Sequence, residues 1–206
     1  ISKVAPHKLA VSTRENKTYL FDTQTRQRTL VLQTDACVYC YGIDARGRAW
    51  IGTKGDGILI DGIKYSKWEK EHYAPTINFY DVAFDKLGRA WIATWGDGLL
   101  CTRANDAMID TRERHITDKK ILRFNEENGK LPVSEVDCGI EAHDGYLWFG
   151  TTKGVMRCIY NEKTKKLDCQ LFNTTNGLTT NTVRSVAEDR FGNIWIGTEE
   201  GISKIN

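Results

Sequence analysis

Little in this chain points toward the commoner chemistries. Twenty-nine basic and 27 acidic residues leave a formal net charge of +2. No long run of Lys or Arg breaks that balance, so nothing argues for nucleic acid as a partner. No apolar segment approaches the roughly 18–20 residues that a bilayer span requires, so no membrane contact is expected of this stretch. A basic start followed by an apolar run is missing too, since Ile1 opens directly on strand-like sequence, and no signal peptide is read. Histidine is scarce, and His7, His72, His115 and His143 show no metal-ligand spacing. Neither a nucleophile elbow nor a phosphate-cradling loop occurs. Enzymatic activity therefore has no positive support, and no cofactor or metal is implied.

What is present is repetition. Gly192 to Asn206 reads GNIWIGTEEGISKIN, and the same words return at Gly47 (GRAWIGTKGDGI), Gly88 (GRAWIATWGDGL) and Gly145 (GYLWFGTTKGV). The four tryptophans, Trp50, Trp91, Trp148 and Trp195, are separated by 41, 57 and 47 residues. Within one copy, short β-branched runs alternate with tight turns, as in VRSVAED, a turn at Arg190–Asn193, and IWIGT. Three or four such strands make a small sheet that cannot bury two apolar faces alone, so copies must stack face to face. A unit of about 40–45 residues with four strands is the pattern of a propeller blade. The expected fold class is all-β, a β-propeller of about five four-stranded antiparallel blades, at roughly 1–35, 36–76, 77–132, 133–178 and 179–206. The last blade lacks an outer strand, and the chain opens without Met. Part of a larger, seven-bladed ring is therefore expected, with a closed five-bladed ring as the alternative.

The repeated tryptophans read as anchors wedged between sheets. Thr53, Thr94, Thr151 and Thr198 are expected to bond the following turn through their hydroxyls. Asp44, Asp85 and Asp189, each six residues before a Trp, are expected to cap the tight turn between them. The first blade is degenerate, with Ala10 in the Trp position. Between Arg103 and Lys119 lies a charged insertion, expected as a solvated hairpin that could touch an adjacent propeller or a second protomer.

Cysteine supplies two patterns. Cys37 and Cys40 form a CxxC, but on a strand residues three apart point to opposite faces and cannot share a metal. Cys40 and Cys138 read instead as small inner-strand residues, each ten before a Trp. Cys158 and Cys169 flank a hairpin turning at Lys163–Thr164, which sets them opposite each other, so a cross-strand disulfide is possible in an oxidising compartment.

The pattern V-x-S-V-A-E-D-x-x-G-N-I-W-I-G-T-x-x-G-I at Val183–Ile202 closely resembles the two-component regulator propeller repeat. The copies at Trp50 and Trp91 fit nearly as well, and the copy at Trp148 departs from it with Ala142 in place of Asp. The resemblance implies a portion of a periplasmic sensor region, of the kind whose tandem propellers precede a membrane segment and a histidine kinase and commonly detect glycan fragments. It also implies where a ligand would sit. In propellers the turn between second and third strands and the approach to each inner strand emerge on one face around a central channel. That face would carry Lys54, Asp56, Trp95, Asp97, Lys153, Glu199 and Glu200, joined by Tyr39, Tyr73, Asn78 and Asn181. Trp95 departs from its equivalents Lys54, Thr152 and Glu199, and an exposed ring beside Asp97 suits a sugar, whose C–H face stacks on aromatics. Two rivals remain: a non-sensory propeller scaffold for protein partners in the cell envelope, and a metal-assisted lyase for which only His143 with Glu141 could be offered.

Overall fold

The computed structural model describes residues 1–65, 67–68, 78–103, 109–110, 115–116 and 121–205. Five antiparallel sheets follow one another along the chain. The first holds β1 (Ser2–Ala5), β2 (Lys8–Ser12), β3 (Lys17–Asp22) and β4 (Arg28–Gln33). The second holds β5 (Val38–Ile43), β6 (Ala49–Thr53), β7 (Ile58–Ile60) and β8 (Ile63–Tyr65). After a short β9 (Lys67–Trp68), the third sheet holds β10 (Phe79–Phe84), β11 (Arg89–Thr94) and β12 (Leu99–Arg103). Its outer strand is β15 (Leu122–Phe124), which follows β13 (Ile109–Asp110) and β14 (His115–Ile116). The fourth comprises β16 (Val136–Glu141), β17 (Leu147–Thr151), β18 (Gly154–Asn161) and β19 (Lys166–Phe172), and the fifth β20 (Val183–Glu188), β21 (Ile194–Thr198) and β22 (Ile202–Ile205). Consecutive inner strands β1, β5, β10, β16 and β20 are neighbours in space. This is the all-β propeller arrangement that the repeats predict.

Each turn is closed by the residues that repeat. Thr53, Thr94, Thr151 and Thr198 donate their hydroxyls to the carbonyls of Gly57, Gly98, Gly154 and Gly201 at 2.6–2.9 Å. The aspartates do more than cap. Asp44 and Asp85 each accept two backbone N–H groups of their turn through Oδ1. Through Oδ2 they accept the indole N–H of the Trp six residues on, at 2.9 Å for Trp50 and 2.8 Å for Trp91. Asp189 repeats the pattern with Trp195 at 2.9 Å. In the fourth sheet Ala142 stands in that position, and Trp148 Nε1 is buried with no hydrogen-bond partner among the described residues.

Three of the four tryptophans are lodged as expected. Trp50 packs with Phe79 and Ile92 of the third sheet, Trp91 with Leu147 and Phe149 of the fourth, and Trp148 with Val183, Ile194 and Ile196 of the fifth. Trp195 is a correction, for 42% of its surface is exposed. Each indole points toward the sheet that follows in sequence, and no described residue forms a sheet beyond β22.

Two further expectations were refined. Cys158 and Cys169 face each other across β18 and β19 and are joined by a disulfide. The charged insertion forms more than a solvated hairpin: β14 pairs antiparallel with β13 and also parallel with β9, which follows the second sheet. Most of residues 104–120, and most of residues 66–77 at the end of the second blade, lie outside the described residues. Cys40, as expected, is a small buried inner-strand residue. A Cβ on Gly52 would meet its Sγ at 2.6 Å, so glycine there is the condition of that packing.

Candidate functional site

The alternation of the inner strands breaks at one place in four sheets. In the second, Val38 faces Thr53 but Cys40 faces Gly52, leaving one residue over. The same slip recurs between Phe79 and Asp81, Val136 and Cys138, and Val183 and Ser185. The residues left over are Tyr39, Tyr80, Asp137 and Arg184, each eleven before its Trp. A bulge of this kind re-aims one side chain out of the strand's alternation. All four line a single cavity of about 610 Å³, walled by the five inner strands, which is the central channel.

On one side of its mouth the bulges build an aromatic run. The rings of Tyr39 and Tyr80 lie 4.6 Å apart, and Tyr80 stacks on Trp95 at 5.4 Å with an angle of 26°. Trp95 sits in the turn after β11, where its N–H donates to Asn78 O at 3.4 Å and its backbone pairs with Glu135. Trp95 is 38% exposed. Burial, with the hydrogen bond to Tyr39, pushes the Tyr80 phenol up to about 12, so its hydroxyl is a neutral donor at physiological pH.

Charge gathers on the other side. Arg184 is held between two carboxylates, with Nη1 2.5 Å from Asp137 and Nη2 2.6 Å from Glu199. Asp137 is buried, which raises its carboxyl despite the Arg184 partner, and its Oδ1 has no donor among the described residues. Asp137 and Arg184 lie close enough to Tyr80 to bear on its phenol in opposite directions.

One residue deeper, Asp81 accepts the N–H groups of Val82 and, across the sheet boundary, Gly139, both at 2.9 Å. Burial outweighs these bonds and pushes its carboxyl up to about 6. The neighbouring thiols Cys40 and Cys138 are themselves raised by burial and stay neutral. The folded state therefore holds this proton more tightly than the unfolded chain, whose carboxyl titrates near 3.8. That contribution to stability is complete below pH 4 and is lost as pH rises through 6. Asp81→Asn is expected to narrow its stability gap with the parent, or overtake it, by about 2 kcal/mol between pH 4 and pH 7. Urea unfolding at both pH values checks this, and a gap independent of pH would contradict it.

Of the sequence-predicted site residues, the structure brings Trp95, Tyr39 and Glu199 to this mouth, through Tyr80 and Arg184. Asp97 is a correction. It is only 1% exposed and turns inward, where Oδ1 accepts from Asn125 Nδ2 at 3.1 Å, so it does not stand open beside the Trp95 ring. The reason is the turn itself, since Asp97 N–H donates to Thr94 Oγ1 and draws the residue under the sheet. Lys54 and Asp56 lie in the equivalent turn of the second sheet, and Lys54 pairs with Asn78 through the backbone. Lys153 is tied to Glu126 at 2.5 Å and to Pro132 O. Asn181 accepts from Thr174 N. Glu200 is exposed on the last turn, and Tyr73 lies outside the described residues. Tyr80, Asp137 and Arg184 were missed, because a bulge is visible only as a register slip. The signal available was a constant offset of eleven from each Trp.

At the far end of the inner strands, Glu141 accepts Lys86 N–H at 2.9 Å and His143 faces Glu188. Among the described residues no group of three or more His, Cys, Asp or Glu is arranged to hold a metal.

Comparisons with known proteins agree with this architecture. Residues 177–200 match the family model described as two component regulator propeller. Among solved structures, the whole chain superposes on two extracellular domains, each described as that of a hybrid two component system from B. thetaiotaomicron. One has a TM-score of 0.67 at 20% identity and the other 0.72 at 17%. The chain spans 27% and 28% of those two chains, about a quarter of their length. It also superposes along its full length on a streptogramin B lyase, at a TM-score of 0.59 and 17% identity, covering 70% of that chain. No curated protein matches. Among the described residues no helix is long and apolar enough to cross a membrane.

Proposed function

We propose that this chain is the ligand-binding propeller portion of an extracytoplasmic two-component sensor, taking an oligosaccharide at the channel mouth and passing the change on to a histidine kinase. In this reading the chain lies in the periplasm. The observation that carries it is the run Tyr39–Tyr80–Trp95, half-exposed, beside a cavity of about 610 Å³ and next to a cluster of polar groups. Flat rings recognise the C–H face of a sugar, while nearby polar groups orient its hydroxyls. The repeat matched at residues 177–200 supports a sensory setting. A scaffold for protein partners would not require its exposed aromatics to be gathered at a concave mouth.

Isothermal titration of the full chain with cellotriose, mannotriose and galactotriose tests the reading. At least one is expected to bind, and Trp95→Ala to weaken it by about tenfold or more, as loss of a central aromatic contact does. Undiminished affinity in the variant would remove Trp95 from the site.

A further inference from the structure

The mouth also carries information on which sugars it accepts, an inference that rests on the reading just given. Acidic glycans bear carboxylate or sulfate groups, and the fork of an Arg is the side chain best shaped to receive them. Arg184 is the cation placed among the bulged residues, but both ends of its guanidinium are committed, to Asp137 and to Glu199. Those two carboxylates outnumber it, and Asp81 stands one residue deeper. Lys3 also lines the channel. By register it pairs with Leu9, just before Ala10, and so stands level with Ile43, which pairs with Ala49 before Trp50. That places it four residues from the bulge, roughly 13 Å along the strand.

A negatively charged ring stacked on Tyr80 and Trp95 would meet Asp137 and Glu199, with Arg184 between them already committed to both. The Ile1 ammonium lines the channel deeper, where it acts on Asp81, and Lys54 is exposed in the neighbouring turn of the second sheet. Donors fare differently. Asp137 Oδ1 is a buried acceptor with no partner among the described residues, and Glu199, which meets Arg184 through Oε1, is exposed on the last turn. We propose that the Asp137–Arg184–Glu199 triad is the specificity filter of the site, admitting neutral or amine-bearing saccharides and rejecting uronates. Rejection by an unpaired charge is a recognised route to selectivity, since it acts on the wrong ligand and leaves the right one untouched.

The test uses titration of the full chain with the three neutral trisaccharides, the glucosamine trimer and trigalacturonate. The best neutral or amine-bearing probe is expected to bind at least about tenfold tighter than trigalacturonate. Glu199→Gln frees one face of Arg184 at an exposed position. It is expected to raise the affinity for trigalacturonate relative to that for the neutral probes by roughly fivefold to tenfold. Trigalacturonate binding the parent chain as tightly as the neutral probes, or no gain in Glu199→Gln, would overturn the filter while leaving the sugar-binding reading in place. Failure of every probe to bind would overturn both. Circular dichroism of the variant confirms that the sheet is intact.

Discussion

Asp85→Ala is expected to destabilise the chain by about 3–4 kcal/mol, more than any substitution at the channel mouth. The carboxylate accepts four donors: the N–H groups of Leu87 and Arg89, the Arg89 guanidinium at 2.5 Å, and the Trp91 indole at 2.8 Å. Asp85, Arg89 and Trp91 are all buried, so the donors left behind cannot turn to water. The fourth sheet indicates which loss matters. There Ala142 keeps the turn's backbone bonds with Tyr146 and Gly145 with no carboxylate at its own position, while Asp144 within the turn accepts the Tyr146 N–H at 3.0 Å. The turn therefore survives without an Asp six residues before the Trp, and Tyr146 stands where the Arg does in the second and third sheets. The cost at Asp85 comes from orphaning Arg89 and the indole together. Glu162 still reaches Arg89 at 3.0 Å and limits the damage. Urea unfolding at pH 7 measures it, and a loss below about 1 kcal/mol would show that these bonds are not what holds the hairpin.

Trp91→Ala is expected to cost about 4 kcal/mol, and Trp195→Ala about 1 kcal/mol or less. The two residues share a sequence context and the same aspartate bond, and they differ in burial. Trp91 is 1% exposed among Phe124, Phe149 and Tyr160, whereas Trp195 lies 42% exposed on the outer face of the last sheet. Removing Trp91 opens a cavity at a sheet–sheet boundary, and removing Trp195 mainly trades one exposed surface for another. Equal losses would mean that the indole stabilises its own hairpin and not the contact between sheets.

The comparison of these positions also shows where sequence reading stops. Periodicity located the strands, because apolar alternation and turn residues are local properties. The first sheet, with no Trp at all, still forms four paired strands, β1 to β4. The Thr hydroxyls and Asp caps were legible for the same reason, since each bond spans six residues or fewer. The exposure of Trp195 was not, because burial depends on what lies beyond the repeat. The turn alone puts Asp97 on the ligand-bearing face, and its burial against Asn125 joins residues 28 positions apart. The mouth was half legible. Trp95 declared itself by breaking the repeat, and Tyr39 by its place near the start of an inner strand. Tyr80, Asp137 and Arg184 became visible only when the bulge put the four offset residues into one channel. Arg184 and Asp137, from different sheets and 47 residues apart, have no local signature linking them.

The central claim is that a saccharide stacks on the mouth ring and not on the anchor rings, and indole N–H resonances test it most directly. In a ¹H–¹⁵N spectrum titrated with the tightest-binding neutral trisaccharide, the Trp95 indole is expected to shift in a saturable way. The buried indoles of Trp50, Trp91 and Trp148 are expected to stay in place. Shifts confined to Trp195, or a silent Trp95 signal at saturating ligand, would contradict it.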